Sequence, residues 1–241
     1  MVASRRGFSP SVPEPFQAVR TSKGTTMVYY PVNLDIAGRR CIVVGGGQVA
    51  ERKVERLVEC GARVAVLSRR LTARLADMAR AGTVEHVDSE YEPSKLDGAM
   101  LVIGATDRED VNDAVSRECR RRGILVNIVD DPERCDFILP SILQRGDLMV
   151  AVSTGGSSPA LAKRIREELE ECFGPEYAVL LEIMAELRRK VTARGRSAAE
   201  NKVLFESVVR SGVLDRIRTG DWEGVRALVR DLTGEDIDSR P

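Results

Sequence analysis

The chain has 241 residues, 43% apolar and 31% charged, with 37 basic side chains balancing 37 acidic ones. That length suits one large domain or two modest ones with a sizeable core, and the charge balance excludes a global field that would recruit nucleic acid or a membrane surface. No apolar run approaches the roughly 20 residues of a bilayer span, and the first 27 residues lack the apolar stretch of a signal peptide.

Residues 1–27, including FSPSVPEPFQ and TSKGTT, follow neither secondary-structure period and read as a disordered tail, with Met27 an alternative start. Regular patterning begins near Tyr29. Strand-like RCIVVGG is followed by helical QVAERKVERLVECG, strand RVAVLS and helix LTARLADMARAG. A short strand VEHV, strand AMLVIGAT, helix REDVNDAVSRECRRRG and strand ILVNIV complete the series. Such alternation predicts βαβ units in an α/β, Rossmann-type doubly wound parallel sheet over residues 28–138. The rhythm then breaks. FILPSILQ and DLMVAVST read as an antiparallel ribbon turning at Arg145-Gly146-Asp147, within a segment 139–157. A helix with Ser158 as N-cap and Pro159 in its first turn opens a helical part, 158–241, punctuated by Gly174-Pro175, Gly195, Gly212 and Gly220.

Five cysteines, odd in number, scattered and without a C-x-x-C pair, argue against a disulfide framework or zinc knuckle and for a reducing cytoplasm. Cys135 alone lies near candidate chemistry, and the sequence gives no reason to assign it a role. His86 is the single histidine, in a strand-like run, so neither a His-based triad nor a metal cluster is expected. Tyr91 and Lys95 match Y-x-x-x-K, but Pro93 between them opposes the helix that would align them. The basic run Arg120 to Arg122 reads as a solvated helix end.

The chemistry-bearing segments lie where strands end. In VGGGQVAERK, Gly45, Gly47 and Ala50 have the G-x-G-x-x-A spacing at a strand-to-helix junction: Gly45 for the tight turn, Gly47 for close approach of a pyrophosphate, Ala50 for strand–helix packing. About 20 residues later, where an acid usually binds the ribose, stand Ser68, Arg69 and Arg70. Two arginines suit a 2′-phosphate, yet they equally suit solvent or a helix cap, which leaves NAD and NADP open. GATD places Thr106 and Asp107 at the sheet's carboxyl edge, with Thr106 facing a cofactor and Asp107 capping the next helix as compatible readings. VNIVDDP brings Asp130 and Asp131 to the same edge, where a carboxylate could take a proton while a cofactor takes a hydride. A turn-capping role for Asp130 is the alternative, and Asp131, directly before Pro132, looks more like the turn residue. Finally, Ser153, Thr154, Gly155, Gly156 and Ser157 form a glycine-hydroxyl loop feeding a helix start. This suits phosphates or carboxylates, or is a plain cap.

Taken together, YYPVNLDIAGRRCIVVGGGQVAERK, GATD, VNIVDDP, FILPSI and LMVAVSTGGSSPALAKRIRE resemble the precorrin-2 dehydrogenase / sirohydrochlorin ferrochelatase family, the corresponding module of siroheme synthase, from about Tyr29 to about Arg189. The resemblance implies a homodimer in which a Rossmann domain binds NAD, joined to a dimerisation region and a helical C-terminal domain. It further implies NAD-dependent oxidation of precorrin-2, a tetrapyrrole, to sirohydrochlorin. In some members ferrous iron is then inserted as a substrate. The family's aspartate base falls on Asp130, its NAD contacts on Gln48, Val49, Arg69 and Arg70, and a serine phosphorylated in some relatives on Thr154. Expected substrate contacts are Asn127 and the Ser153 to Gly156 loop, with Arg164 a further anchor for substrate carboxylates. The fused methyltransferase domain of larger siroheme synthases is not expected, and residues 195–241 read as extra helices. A dehydrogenase without chelatase activity and a non-catalytic NAD-sensing module are the competing readings.

Overall fold

Short β-branched runs flanked by amphipathic helices bury both faces of the central strands, and the computed structural model, which describes residues 29–238, has that arrangement. The expected tail and Met27 lie outside the described residues. Five parallel strands, β1 (Arg40–Val44), β2 (Arg63–Leu67), β3 (Glu85–Val87), β4 (Leu101–Gly104) and β5 (Leu125–Ile128), lie in the order β3-β2-β1-β4-β5. This is a doubly wound Rossmann-type sheet, with its strand order reversing at β1. Residue alternation divides the core. Cys41, Val43, Val64, Val66 and Ile103 pack against α1 (Gln48–Glu59) and α2 (Ala73–Arg80). Ile42, Val44, Ala65, Val102, Val126 and Ile128 pack with Val115 and Cys119 of α3 (Glu109–Arg122).

The antiparallel ribbon is present but starts later than expected, as β6 (Ser141–Arg145) and β7 (Leu148–Val152), with Leu143 opposite Val150. Phe137 to Pro140 form no strand, because Pro140 brings no N–H to a ladder and restrains Leu139 before it. Helix α4 (Pro159–Cys172) begins at Ser158, whose hydroxyl accepts from the Leu161 amide at 3.2 Å. Four more helices follow: α5 (Glu176–Thr192), α6 (Ala198–Arg210), α7 (Val213–Thr219) and α8 (Trp222–Thr233). They share a separate core of Leu180, Ile183, Leu187, Val208, Val213, Val225 and Val229. Ser197 and Glu200 form a reciprocal cap on α6, which fixes the chain's re-entry into helix after Gly195.

Pro93–Leu96 is a 3-10 turn rather than an α-helix, and Tyr91 donates its hydroxyl hydrogen to the Ala114 carbonyl at 3.3 Å. The Y-x-x-x-K spacing therefore places no pair on a helical face. The run at the end of α3 is less solvated than its composition predicts: Arg122 pairs with Asp97 and Glu118, and Arg120 donates to the Glu133 carbonyl at 2.7 Å.

Candidate active site

The glycine turn between β1 and α1 is dictated by its neighbours. Gly45 has φ +124°, and a Cβ there would overlap the Ala105 carbonyl at the end of β4. Gly46 packs equally closely on the second βα loop: a Cβ would strike the Arg70 carbonyl oxygen and the Ser68 hydroxyl, and its own carbonyl accepts from the Thr72 amide at 3.0 Å. Sequence spacing singled out Gly45 and Gly47 and missed Gly46, because the contact that demands it comes from a loop more than 20 residues away. Gly47 differs from both. It is exposed, extended at φ −85° and ψ −177°, and has open space where a Cβ would project. As N-cap of α1 it brings no side-chain acceptor, so the first-turn N–H groups at exposed Gln48 and half-buried Val49 face that opening. Ala50 is fully buried against the sheet. A buried cradle below an open, uncapped helix start fits a dinucleotide pyrophosphate.

The flanking loops carry the other predicted residues. Ser68 is occupied by structure: its hydroxyl donates to the Arg70 carbonyl at 2.7 Å and accepts from the Arg70 amide. Arg69 extends into solvent and pairs with Glu90 at 3.3 Å. Thr106 turns towards α3, its hydroxyl 3.0 Å from the Asn112 side-chain oxygen and accepting from the Arg108 amide at 3.1 Å. Asp107 does not cap α3. The N-cap is Arg108, with no side-chain cap, and the Thr106 hydroxyl accepts from the Arg108 amide.

At the end of β5 the two acids separate in role. Asp131 accepts from the Arg134 amide at 3.3 Å and pairs with the Arg134 guanidinium at 3.1 Å, capping the 3-10 turn Pro132–Arg134. Asp130 makes no hydrogen bond or ion pair among the described residues. It is exposed and has φ +61°, the sole non-glycine residue with positive φ among those described. Local strain of that kind persists where surrounding contacts over-determine the backbone, and they do so here. The Cys135 sulfur accepts from the Ile128 amide at 3.1 Å and lies 3.1 Å from the Asp131 carbonyl, while Asn127, buried, donates to the Phe137 carbonyl at 2.9 Å. Cys135, given no role by the sequence, thus closes the turn that presents Asp130. Asn127 is committed to the same loop through its amide nitrogen.

Lys53 of α1 is a further residue that motif spacing missed. It is half-buried without an ion pair among the described residues, and burial, then the charge of Arg52, holds it below the usual lysine range against the opposing pull of Asp130. Its position inside a regular helix carries no sequence signal. The glycine turn after β1, Thr106 after β4 and Asp130 after β5 therefore share the carboxyl edge of three adjacent strands. The second loop stands apart. Thr154 accepts from the Ser158 amide at 3.0 Å, Ser153 accepts from the Gly155 amide at 3.2 Å, and Gly155 and Gly156 have positive φ. Among the described residues, none of its hydrogen bonds reaches the glycine turn or Asp130. Arg164 is exposed and paired with Glu168 at 2.9 Å. No cluster of three or more potential metal-ligating side chains occurs among the described residues. A groove of about 820 Å³ along α5, lined by Leu181, Met184, Arg188 and Arg189 among others, contains none of these residues.

Residues 32–141 match a family model described as putative NAD(P)-binding, and residues 145–171 match one described as sirohaem biosynthesis protein central. A siroheme synthase of Methylobacillus flagellatus is 42% identical over 205 residues, which is 85% of this chain and 44% of that protein. One from Chromobacterium violaceum is 40% identical, over 83% of this chain and 43% of that protein. The chain is thus similar, over most of its length, to one part of siroheme synthases. It spans less than half the length of the curated relatives it matches. A solved structure described as SirC, precorrin-2 dehydrogenase, superposes with a TM-score of 0.71 at 24% identity, covering 86% of this chain and all of that one, so the fold is shared over that span. A match of 205 residues cannot fit between Tyr29 and Arg189, so the family likeness continues into the helices that the sequence reading set aside as additions.

Proposed function

We propose that this chain oxidises precorrin-2 to sirohydrochlorin in siroheme biosynthesis, with NAD as hydride acceptor and Asp130 as the base. The names of the relatives and of the structural neighbour support the substrate class, and the observation that carries the reading is Asp130 itself. Its carboxylate is exposed, uncommitted to any protein partner and held at positive φ, on the edge where the glycine turn opens. When bound, NAD supplies the two-electron acceptor. The chain's own work is positioning and proton transfer: the N–H groups at Gln48 and Val49 hold the pyrophosphate, and Arg69 and Arg70 flank the ribose end. Asp130 takes the proton that leaves as the hydride departs, so that one NADH and one released proton balance each oxidation. Lys53, within electrostatic reach of Asp130 and without an ion pair among the described residues, is suited to a substrate carboxylate. The test is anaerobic incubation with precorrin-2 and NAD, following NADH absorbance and the sirohydrochlorin spectrum. Turnover lost in Asp130→Asn, with NAD binding intact, is the expected result. Normal turnover by that variant removes Asp130 from the mechanism, and NAD binding without any turnover favours a sensing module.

The division of labour follows the elements: a dinucleotide-binding part ending near residue 138, a ribbon over 139–157 and a helical part from 158. We assign the ribbon to a homodimer interface, working in the cytoplasm where five free thiols persist. Two strands alone are marginal, and the ribbon's outer face presents Ile142, Met149 and Ala151, with Leu161 of α4 also 49% exposed. Dimerisation would also supply the Ser153 to Gly156 loop with a partner surface that its own hydrogen bonds do not reach. No helix among the described residues is long and apolar enough to cross a membrane.

A further inference from the structure

The geometry points to Glu90 as the residue that sets the preference of this site for NAD over NADP. The inference rests on the reading of the glycine turn as a dinucleotide site. In such sites an acid at the end of the second strand accepts the ribose 2′-hydroxyl, and an arginine there welcomes a 2′-phosphate instead. Here the second strand ends at Leu67 and is followed by Ser68, Arg69 and Arg70, with no acid. The fold delivers one from the next strand over. Glu90 follows β3, and its Oε1 lies 3.3 Å from the Arg69 guanidinium, which follows β2, and 3.8 Å from that of Arg108, which follows β4. Since β2 and β4 flank β1, loops from both sides of the glycine turn meet on this one carboxylate. The Glu90 carboxylate makes no side-chain hydrogen bond among the described residues and is available to a ribose hydroxyl.

Charge decides the discrimination. Arg69 is neutralised by Glu90, and Arg108 is shared between Glu90 and Asp110, the latter at 2.7 Å. A 2′-phosphate arriving here meets a carboxylate and two arginines that already have partners, so it gains little and suffers repulsion. Removing the Glu90 charge frees Arg69 and takes the carboxylate repulsion away, while Arg108 stays with Asp110; a planar guanidinium fork binds phosphate well. All three side chains are more than half exposed, so the bridge contributes little to fold stability and its removal leaves the scaffold intact. The sequence concealed this role because Glu90 sits more than 20 residues beyond the position where a ribose acid is sought.

Calorimetric titration of the full-length chain with NAD and with NADP provides the test, in wild type, Glu90→Gln and Glu90→Gln/Arg69→Ala. Wild type is expected to bind NAD at least about tenfold more tightly than NADP. In Glu90→Gln, NADP should bind about fivefold more tightly while NAD weakens about twofold, and the NADP gain should shrink in the double variant and at high salt. An unchanged NAD-to-NADP ratio in Glu90→Gln overturns the assignment while leaving the dinucleotide site standing, as does a wild type that prefers NADP. Failure of both dinucleotides to bind wild type overturns the assignment together with the cofactor reading.

Discussion

The sulfur of Cys135 lies 3.1 Å from the backbone nitrogen of Ile128, the last residue of β5, and so closes the loop over the two residues before Asp131. Its proton is shared out between the carbonyls of Ile128 and Asp131, at 3.2 and 3.1 Å. Burial raises the thiol above its ordinary range, which keeps it protonated and able to donate. Cys135→Ala should leave the Ile128 amide without its partner and cost about 1–3 kcal/mol in urea unfolding. It should also lower turnover, since the Asp130 backbone loses its restraint. Cys135→Ser, which restores a donor and acceptor, should recover part of both. An alanine variant with unchanged unfolding midpoint and turnover would show the thiol to be a bystander.

The glycines separate fold from cofactor. Gly45→Ala places a Cβ on the Ala105 carbonyl at φ +124° and should destabilise the chain by about 2–3 kcal/mol. Gly47→Ala meets nothing within 4 Å at an ordinary negative φ, so the unfolding midpoint should stay within about 0.5 kcal/mol. The space it fills is the proposed pyrophosphate position, and NAD affinity should drop at least about tenfold. Equal stability losses in both variants, or undiminished NAD affinity in Gly47→Ala, would contradict this division.

Much of the nucleotide-binding half was legible in the chain. Alternation of β-branched runs with amphipathic helices specifies parallel strands, and Gly45, Gly47 and Ala50 have local reasons to be what they are. What stayed hidden depends on contacts between distant segments. Gly46 is required by Ser68 and Arg70, Cys135 acts on backbone seven residues earlier, and Glu90 meets Arg69 and Arg108 only once three strands are laid side by side. Nor does composition show that the N-cap of α3 falls on Arg108, without a side-chain cap, rather than on Asp107. Pro140 was overlooked as a delay to β6. The positive φ of Asp130 has no signature in composition, since even aspartate, several-fold enriched in that region, adopts it at only a small share of its positions.

That backbone conformation offers its own test. Asp130→Gly relieves the left-handed strain but loosens the unfolded chain, so its net stability change should be small, within about 1 kcal/mol. Asp130→Asn keeps size and tolerance of positive φ while removing the proposed base. Both should lose dehydrogenation by about 100-fold or more and retain NAD binding, a loss in the range removed with a general base. Retained activity in the glycine variant would mean that the carboxylate does no chemistry.

The ribbon makes a prediction about assembly. Met149 is 37% exposed on the outer face of β7, opposite Gln144 of β6. Met149→Asp would bury a charge in the proposed interface, and light scattering should report conversion of dimer to monomer at low micromolar concentration. Helical content should remain, because the side chain points away from α4 and α5. A wild-type monomer at all concentrations would remove the interface assignment.

Alkaline pH should unfold the chain, for a reason that lies in the main core rather than at the site. Burial pushes Cys119 up to about 12, and raises Cys41 and Cys135; burial likewise takes Tyr91 to about 12. A raised folded-state value means that the folded protein keeps a proton that the unfolded chain releases. This stabilisation is complete below the unfolded thiol range near 9 and disappears as pH rises towards 12. Each fully buried thiol such as Cys119 then contributes a slope of about 1.4 kcal/mol per pH unit within that window. Lys53 works in the opposite sense: its folded value is lowered, so the penalty for keeping it charged is relieved as pH approaches the ordinary lysine range. With one lysine set against three thiols and a tyrosine, the net trend is downward. Urea midpoints measured at pH 7, 9 and 10.5 under reducing conditions should be level over the first interval and fall over the second. Cys119→Ala should have a shallower fall than wild type, whereas an identical slope in the two proteins would place the alkaline sensitivity elsewhere.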